Sequence, residues 1–467
     1  MNNSELRNIW AAKYVNVDRT LARMKEVKAA ATAFNTNVDA VLKISGKKLQ
    51  GLIEKFGLDW NSLNNIEELK LLQATDVIKG VFKCFSRGIA EEWLTEDKAV
   101  FDWMVENIGY ERLQMGGQGG IVANALAAAG VSKVYAHTNS LPKLQAEQFL
   151  KLDNLVSFDE NGIEKPACQI DRGQDIPLIH WILEFDKGDE LTVEGHKVVC
   201  PKSNRFIATY DPLNLNLVKD DAFVRFSESH PIDFIVLSGF HALTANKGGC
   251  ALIEDVLPLI KSWKKINPRG VVHLEVASTQ DIAVRKAIVD KVAPLVDSIG
   301  LNERETIDVL QVIGEEKFAA ECEENTDSAH MLEAVFRIKE KVGCPRVQLH
   351  MFGLYMTLQD KGFRIKPQEN LRGMCLAAVA AAGKASLGKV EKPEDFVVRK
   401  DTPVNDEALN VLKKAAAYAG NEKLEEDGIA DFRGYDLIAV PTILVPKPVT
   451  LVGMGDTISS ISLVASR

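Results

Sequence analysis

A Gly-Met-Gly-Asp turn at residues 453–456 places a carboxylate next to a permissive backbone. Gly453 and Gly455 let the chain approach a bound ligand closely. A small-residue helix is predicted over 457–465, and the free N–H groups at its start favour an anion. Asp456 supplies a general base in the same turn. An anion cradle beside a base is what transfer of a phosphoryl group to a hydroxyl needs.

Simpler interpretations of this turn remain open. The apolar residues 443–452 predict a strand before it, although Pro446 and Pro448 interrupt the run. The turn would then be an ordinary strand–turn–helix connection with an aspartate as N-cap. A dinucleotide-binding fingerprint is less compatible, because Ile458 stands where the third glycine would be.

Two other segments are suited to a ligand rich in hydroxyl groups. Asn37 and Asp39 follow the apolar residues 30–34 and offer paired donors and acceptors, although an Asx-turn is the better interpretation of this segment taken alone. Gly117 belongs to a run with four glycines in five residues, ahead of a predicted helix over 121–130. A flexible hairpin is the alternative, but the glycine that ends this helix favours an ordered turn.

Carboxylates at the ends of predicted elements could act on a metal ion. His273 and Glu275 end a strand and point to one face. Glu275 could hold Mg²⁺ through water, as that ion prefers, or form a structural pair with the histidine. Asn302 and Glu305 open a charged segment that is either a second carboxylate cluster or a solvated helix start.

Basic groups in the middle of the chain are candidates for phosphate contacts. Arg205 lies in an Asn-Arg-Phe-Ile segment, and its guanidinium can donate two parallel hydrogen bonds to phosphate. His180 sits in an apolar strand predicted over 178–185, where a lone histidine is more often a core residue than a ligand.

The composition limits the class of protein. The chain has 467 residues, 46% hydrophobic, and a net charge of −9. The acidic balance disfavours nucleic acid and anionic membrane as main partners. The seven cysteines form no metal-binding or disulfide pattern, and neither a signal peptide nor a membrane-spanning run is recognisable. We therefore expect a cytoplasmic protein.

Strand-like and helix-like stretches alternate along most of the chain. This alternation predicts a mostly parallel sheet with helices on both faces, with active groups at the carboxyl ends of the strands. The strands are expected at 131–136, 234–237, 270–276, 346–351 and 437–440, and the helices at 254–266, 279–292, 328–341 and 408–419.

Two regions depart from this alternation. Residues 40–112 are helix-rich and charged, and residues 160–212 contain shorter alternating strands, including 178–185 and 191–199. We predict that they form a smaller lid over a large nucleotide-binding domain. The large domain would then comprise 1–39, 113–159 and 213–467.

The ordered set of motifs resembles the ADP-dependent branch of the ribokinase superfamily. The resemblance spans about residues 34–460 and is carried by the glycine-rich turn before Asn124, by Asn-Arg-Phe-Ile, by His-x-Glu, by Asn-x-x-Glu and by Gly-x-Gly-Asp. This branch contains ADP-dependent phosphofructokinases and glucokinases, best known from archaea. The resemblance implies a ribokinase-like α/β large domain, a smaller α/β lid, and transfer of the terminal phosphoryl group of ADP to a sugar, leaving AMP.

The resemblance also implies roles for individual residues. Asp456 would be the base, the turn around Gly453 and Gly455 the anion hole, and Arg205 the phosphate contact from the lid. Further expected positions are the sugar site, the divalent cation site (Mg²⁺ or a similar ion) and the nucleotide site. The sugar site comprises Asn37, Asp39, Gly117 and His180. The cation site comprises Glu275 and Glu305. The nucleotide site comprises Asn302, Gly455, Val440 and His350.

The acceptor depends on two further residues. Glu92, or Glu91 if the alignment is shifted by one residue, resembles a glucose-contacting glutamate. Arg172 stands where a basic residue would contact a sugar 6-phosphate. Together they imply a fructose-6-phosphate kinase with some activity on glucose. The alternatives are an ADP-dependent glucokinase, an ATP-dependent ribokinase-like kinase of sugars or nucleosides, and a binding protein without catalysis. The oligomeric state is left open.

Overall fold

A computed structural model describes residues 1–66, 70–450 and 452–467. The strands of these residues form one large, one medium-sized and one two-stranded sheet. In chain order they are β1 Ala30–Ala33, β2 Asn37–Lys43, β3 Glu91–Thr95, β4 Arg112–Gly116, β5 Val134–Ala136, β6 Leu155–Phe158, β7 Glu164–Pro166, β8 Ile179–Phe185, β9 Glu190–Val193, β10 His196–Val199, β11 Asn204–Tyr210, β12 Phe234–Leu237, β13 Val271–Glu275, β14 Ser298–Leu301, β15 Arg346–Met351, β16 Leu354–Gln359, β17 Ile429–Phe432 and β18 Tyr435–Pro441.

Helices cover both faces of the large sheet and one face of the medium-sized one. The α-helices of the described residues are α1 Asn3–Val15, α2 Val17–Ala22, α3 Gly46–Lys55, α4 Trp60–Asn64, α5 Ala74–Arg87, α6 Lys98–Asn107, α7 Gln118–Ala128, α8 Lys143–Ala146, α9 Pro212–Leu215, α10 Asp221–Ser227, α11 Gly249–Glu254, α12 Leu257–Ile266, α13 Ile282–Ala287, α14 Glu303–Val312, α15 Glu316–Glu324, α16 Ser328–Val342, α17 Pro367–Leu387, α18 Asp406–Ala419, α19 Lys423–Asp427 and α20 Met454–Val464. Within the described ranges, no helix is long and apolar enough to span a membrane.

The large sheet contains eleven strands in the order β17-β18-β16-β15-β14-β13-β12-β1-β5-β6-β7. Its seven central strands, from β15 to β6, are parallel to one another. The strands outside them pair in antiparallel fashion. The predicted mostly parallel α/β sheet is therefore confirmed. Its parallel strands read as continuous apolar runs because helices bury both of their faces.

The medium-sized sheet, here called the small sheet, contains five strands in the order β3-β11-β8-β2-β4. It has its own core, which includes Trp93, Trp181 and Phe206, separate from the core of the large sheet. The sheets divide the chain differently from the predicted boundaries. Residues 37–39 and 113–116 belong to the small sheet, whereas β7 extends the large one.

Most predicted elements are present, with three corrections. The expected strand at 443–452 is absent in its described part, because β18 ends at Pro441 and an irregular segment leads to α20; Leu451 lies outside the described residues. The helix expected over 279–292 divides into α13 and a π-helical turn over Ile288–Val292. The strand expected over 191–199 is a hairpin whose turn contains Gly195 at φ 80°.

Candidate active site

The Gly-Met-Gly-Asp turn forms the start of α20. Gly453 is the N-cap in the left-handed conformation, with φ 61°, and a side chain there would collide with Ile121. The first amides of a helix have no partner within it, so the N–H groups after Gly453 are available to an anion. Asp456 lies in this first turn, half-buried. The local geometry therefore supplies both the predicted anion cradle and the predicted carboxylate.

A cavity of about 390 Å³ opens between the two sheets beside Asp456. It brings together most of the residues predicted from the sequence. The predicted residues that line it are Asn37, Asp39, Glu92, Gly117, His180, Arg205, Gly453 and Asp456.

The inner face of the small sheet is built in rows across its strands. Gln114, Asp39, His180 and Thr209 are successive cross-strand neighbours in one row. The next row joins Arg112, Val41, Ile182, Ile207 and Glu92 in the same way. Since alternate residues of a strand face the same side, one face carries all these side chains. The period-2 pattern of the strands thus places the polar groups toward the cavity.

Several buried polar atoms around the cavity have no hydrogen-bond partner among the described residues. They are Asn35 Oδ1, Asn37 Oδ1, Gln118 Oε1 and His241 Nδ1. Buried polar groups are nearly always paired, so unpaired ones in a cavity indicate a polar ligand. Acceptors and a ring nitrogen in this arrangement suit a molecule with several hydroxyl groups.

The glycine-rich turn allows the two sheets to meet at this cavity. Gly117 has φ 71°, and a Cβ atom there would come within 2.7 Å of the Asn35 carbonyl oxygen. Asn37 Nδ2 donates to Asp39 Oδ1 at 3.0 Å, which orients both side chains. Burial raises the pKa of Asp39, and the charge of His180 opposes that rise. Gly117 is therefore needed for the close approach of its backbone to the Asn35 carbonyl.

Glu92, and not Glu91, faces the cavity. Glu92 Oε1 accepts a hydrogen bond from Thr209 Oγ1 at 2.6 Å. Glu91 points to the other face, where its Oε2 accepts hydrogen bonds from Lys83 Nζ and Trp93 Nε1, both at 2.9 Å. The register of β3 therefore decides between the two residues, which the sequence left open.

His180 is not a simple core residue, because it lines the cavity and pairs with an acid. Its Nε2 lies 3.0 Å from Asp211 Oδ2. Burial alone would lower the pKa of His180, but the hydrogen bond and charge of Asp211 outweigh it and raise the pKa to about 9. The imidazole is thus charged at neutral pH and holds Asp211 at the point where the chain leaves the small sheet.

This pairing predicts a pH-dependent stability. The raised pKa contributes stability that is complete below pH 6.5 and is lost as pH rises through about 9. The shift corresponds to at most about 3 kcal/mol. We expect the melting temperature of the wild type to fall more between pH 6.5 and 9 than that of His180→Gln, as measured by calorimetry. Parallel curves for the two proteins would contradict this pairing.

Arg205 reaches the cavity, but Arg172 does not. Arg172 donates through Nε to the Phe158 carbonyl at 3.0 Å, through Nη1 to the Thr138 carbonyl at 3.1 Å, and through Nη2 to Asp220 Oδ2 at 2.5 Å. Its guanidinium is thereby committed to joining loops of the large sheet, and it does not line the cavity. The expected contact of Arg172 with a sugar phosphate is therefore not supported.

Another arginine lies where that contact was expected. Arg112, in the edge strand β4, lines the cavity together with Arg205. Neither side chain forms an ion pair with a described carboxylate. Two guanidinium groups on one face are thus available to phosphates. Sequence reasoning missed Arg112, because only the register of β4 brings its side chain to this face.

Two buried carboxylates lie on the large-sheet side of the turn. Glu275 Oε2 is 3.0 Å from His273 Nε2, and that ring nitrogen is also 2.9 Å from Ser459 Oγ of α20. Glu305 accepts a hydrogen bond from the Asn302 N–H at 2.8 Å in a capping box that starts α14. Because its carboxylate is buried, Glu305 is not part of a solvated helix start.

Burial and neighbouring negative charges raise the pKa values of both carboxylates. Burial raises the pKa of Glu275 well above its ordinary value, and the charges of Glu305 and Asp456 add to the rise. Burial also raises the pKa of Glu305 to about 8. A cation between these groups would relieve that repulsion. No cluster of three metal-ligating side chains occurs in the described ranges, so the pair suits an ion held through water.

The nucleotide-side predictions need correction. Val440 is fully buried in β18 and cannot form a wall for a base with its side chain. His350 is also buried: its Nε2 is 3.8 Å from Glu275 Oε1, and a Cβ atom on Gly455 would approach that nitrogen to 2.8 Å. Its ring therefore packs against the turn at 453–456. The exposed neighbour is Phe352, with 62% of its surface accessible.

Three functional neighbours of Asp456 were not predicted. Gln118 Nε2 donates to Asp456 Oδ1 at 3.1 Å. Burial raises the pKa of Asp456, and the positive charges of Lys384 and His241 oppose that larger effect. The one signal in the sequence was a lysine within an alanine-rich helix: a charge on a face that must be buried requires a partner.

The chain matches a family model described as "ADP-specific Phosphofructokinase/Glucokinase conserved region" over residues 28–465. It is 32% identical to an ADP-dependent glucose/glucosamine kinase of Pyrococcus furiosus, covering 97% of each chain. It is 30% identical to an ADP-specific phosphofructokinase of Pyrococcus abyssi, covering 92% of this chain and 95% of that protein.

A solved structure extends the likeness to the whole fold. It is an ADP-dependent kinase in complex with fructose-6-phosphate and ADPbetaS, with a TM-score of 0.80 and 26% identity. The alignment covers 100% of this chain and 98% of that one. The family match spans nearly the entire sequence, including the turn, the cavity and the buried carboxylates. The chain therefore belongs to the ADP-specific phosphofructokinase/glucokinase family.

Proposed function

We propose that this protein is an ADP-dependent sugar kinase that transfers the terminal phosphoryl group of ADP to fructose 6-phosphate. The products are AMP and fructose 1,6-bisphosphate, as in glycolysis, and glucose is a second acceptor. The observation that carries the proposal is Asp456, placed at the free amides of α20 in a cavity with unpaired polar atoms. One relative named a glucose/glucosamine kinase and another named a phosphofructokinase support it.

The chemistry follows from the positions of these groups. Asn37, Asp39 and Gln118 hold the sugar hydroxyls, and Asp456 accepts the proton of the attacking hydroxyl. The hydroxyl oxygen bonds to the terminal phosphorus of ADP while the bond from that phosphorus to the bridging oxygen breaks, which leaves AMP. The amides at the start of α20 stabilise the charge on the transferring group.

The buried carboxylates have a separate task. We propose that Glu275 and Glu305 hold Mg²⁺, or another divalent cation, through water. When bound, the ion neutralises charge on the phosphate oxygens. Asn302 fixes the orientation of Glu305, since the two residues exchange backbone and side-chain hydrogen bonds at 2.8 and 2.9 Å. Any divalent cation that supports activity should also reduce the repulsion between these acids.

The adenine moiety needs another site than the buried Val440. A cavity of about 590 Å³ lies beside the end of β15 and is lined by Glu303, Met351, Phe352 and Val411. The exposed ring of Phe352 offers a flat apolar surface for a base. Glu303 Oε1 accepts the N–H of Phe352 at 2.8 Å and so fixes this turn. We propose that the adenine lies against this surface. We also propose that the protein works in the cytoplasm.

A turnover assay distinguishes the candidate functions. Purified protein is supplied with fructose 6-phosphate or glucose, Mg²⁺, and either ADP or ATP. We expect AMP formation with ADP and fructose 6-phosphate, and slower turnover with glucose. Efficient use of ATP with little use of ADP would indicate an ordinary ribokinase-like kinase. Sugar binding without turnover would indicate a binding protein.

The two acceptors should depend on different side chains. Arg112→Ala removes a guanidinium that can pair with the sugar 6-phosphate, so we expect kcat/KM for fructose 6-phosphate to fall by about 10- to 100-fold, with little effect on glucose. Arg172→Ala is the matched control: it should reduce thermal stability without changing the ratio of the two sugars. Selective loss of fructose 6-phosphate activity in Arg172→Ala would restore the original assignment.

Glu92 should have the opposite selectivity. Its carboxylate accepts hydrogen bonds from an unphosphorylated hexose, so Glu92→Gln should lower kcat/KM for glucose by about 10-fold and affect fructose 6-phosphate less. Glu91→Gln changes the adjacent residue on the opposite face and serves as control. Equal losses on both sugars in Glu92→Gln would remove it from acceptor choice.

A further inference from the structure

Lys384 is a buried cation that the chemistry above does not use. It lies in the last turn of α17, and only 8% of the residue is accessible. The preceding turns of this helix are packed almost entirely with alanine and other apolar side chains. A lysine is rarely buried to this degree unless it is paired. Its ammonium therefore requires an explanation from its partners.

The partners of Lys384 both lie at the start of α20, within or next to the turn that contains Asp456. Lys384 Nζ donates to the Gly453 carbonyl oxygen at 2.8 Å and to Thr457 Oγ1 at 2.9 Å. Thr457 Oγ1 in turn donates to the same Gly453 carbonyl at 2.9 Å. Two of these hydrogen bonds end on the Gly453 carbonyl, and the third links the lysine to Thr457. Because the carbonyls and the N–H groups of a helix point in opposite directions along its axis, a fixed Gly453 carbonyl also fixes the direction of the free amides that follow it.

The ammonium also faces the catalytic carboxylate. Burial lowers the pKa of Lys384 to about 8, and the charge of Asp456 opposes that change. Around Asp456 the other charged or titratable groups are His241, in the loop that follows β12 of the large sheet, and the acids Glu275 and Glu305. Lys384 is thus a positive charge placed against Asp456, the carboxylate that repels these two acids.

Close packing fixes the position of this lysine. The helices α17 and α20 approach so tightly that a Cβ atom on Gly373 would collide with the carbonyl oxygen of Ser462. Further along the same interface, Lys384 reaches the start of α20. Because the helix backbones cannot separate without losing this contact, the ammonium is held against the turn by the fold itself.

We propose that Lys384 is a positioning residue that shapes the anion hole of this kinase through the Gly453 carbonyl and Thr457. It touches neither the sugar nor the transferring phosphoryl group. This inference rests on the proposed function, since the anion hole is assigned by it. Its effect should be confined to the state in which charge develops on the transferring group, with ground-state binding of sugar and AMP preserved.

The test compares three variants in the ADP-dependent assay. Lys384→Met removes charge and donors at similar length, Lys384→Gln keeps one donor, and Lys384→Arg keeps charge and donors. We expect kcat to fall about 10- to 100-fold in Lys384→Met, with KM for the sugar changed less than threefold. The loss should be smaller in Lys384→Gln and smallest in Lys384→Arg. Lys389→Met, which removes an exposed lysine paired with Glu391, is the control.

A second measurement reads the anion hole directly. Aluminium fluoride with AMP and sugar imitates the planar transferring group, whereas AMP alone does not. In Lys384→Met, inhibition by the fluoride complex should weaken at least tenfold and inhibition by AMP less than twofold. Equal weakening of both, or an unchanged fluoride complex, would overturn the proposal.

The design separates the failure of this inference from that of the proposed function. Absence of ADP-dependent turnover in the wild type refutes the function itself. If Lys384→Met does not fold, Thr457→Val decides the matter, because it removes one acceptor of the lysine and leaves its charge. A wild-type kcat and fluoride inhibition in Thr457→Val would then count against the proposal, and selective loss of both would support it.

Discussion

Asp456→Asn should abolish most of the phosphoryl transfer while leaving both substrates bound. The amide cannot accept the hydroxyl proton, so kcat should fall by roughly 10²- to 10⁴-fold, with dissociation constants for sugar and AMP within a few-fold of wild type. Gln118 Nε2 can still donate to the amide oxygen, which preserves the local structure. Rapid-quench turnover and calorimetric binding would measure the two effects.

The pH dependence of the wild type provides a second measure of this residue. Burial raises the pKa of Asp456, and only the ionised form can act as a base. Activity should therefore decline as pH falls through that raised pKa, above the range of an ordinary aspartate. Asp406→Asn, which changes an exposed acid in the first turn of α18, is the matched control. Near-normal turnover in Asp456→Asn would exclude the residue as the base.

Arg205→Ala should be nearly as damaging. A guanidinium that pairs with the transferring phosphoryl group stabilises charge that grows in the transition state, and comparable arginines in phosphoryl transfer contribute on the order of 10³-fold or more. We expect kcat to fall by about that factor, with both acceptors affected alike. Arg205→Lys should restore only a small part, because an ammonium cannot donate two parallel hydrogen bonds.

Lys43→Ala is the matched control for Arg205. Lys43 and Arg205 are both cross-strand neighbours of Glu184, so each variant removes one positive charge from the same row of the small sheet. Lys43, however, pairs with Asp186, which directly follows β8, and it does not line the cavity. An equal loss in both variants would mean that the general charge of the sheet matters and that Arg205 makes no specific contact.

The sequence predicted those parts of the site that depend on local chain geometry. The turn at Asp456, the glycine at 117 and the alternating strand with His180 follow from short-range rules, and the structure brings all three beside one cavity. Arg172 was misplaced because its partners, the loops at Thr138 and Phe158 and Asp220, are distant in sequence.

The missed residues share a physical cause. Arg112 and Lys384 acquire their positions from strand register and from helix packing, and both are tertiary properties. An alanine-rich helix indicates tight packing but does not specify which element it packs against. The expected strand at 443–452 is absent for a different, local reason: its prolines remove backbone donors that a sheet would require. Local pattern therefore predicted elements better than it predicted neighbours.

The contacts that we propose for the acceptor lie where the chain passes from one sheet to the other. Asn37 begins β2 directly after β1, Gly117 joins β4 to α7, and Asp211, which holds His180, joins β11 to α9. If the small sheet is the mobile lid that we predict, a substitution that changes acceptor choice at these points also changes the torsions about which the lid moves. We therefore expect substitutions at these points to change sugar selectivity and the rate of product release together. Neither evolution nor engineering could then alter one property without adjusting the other.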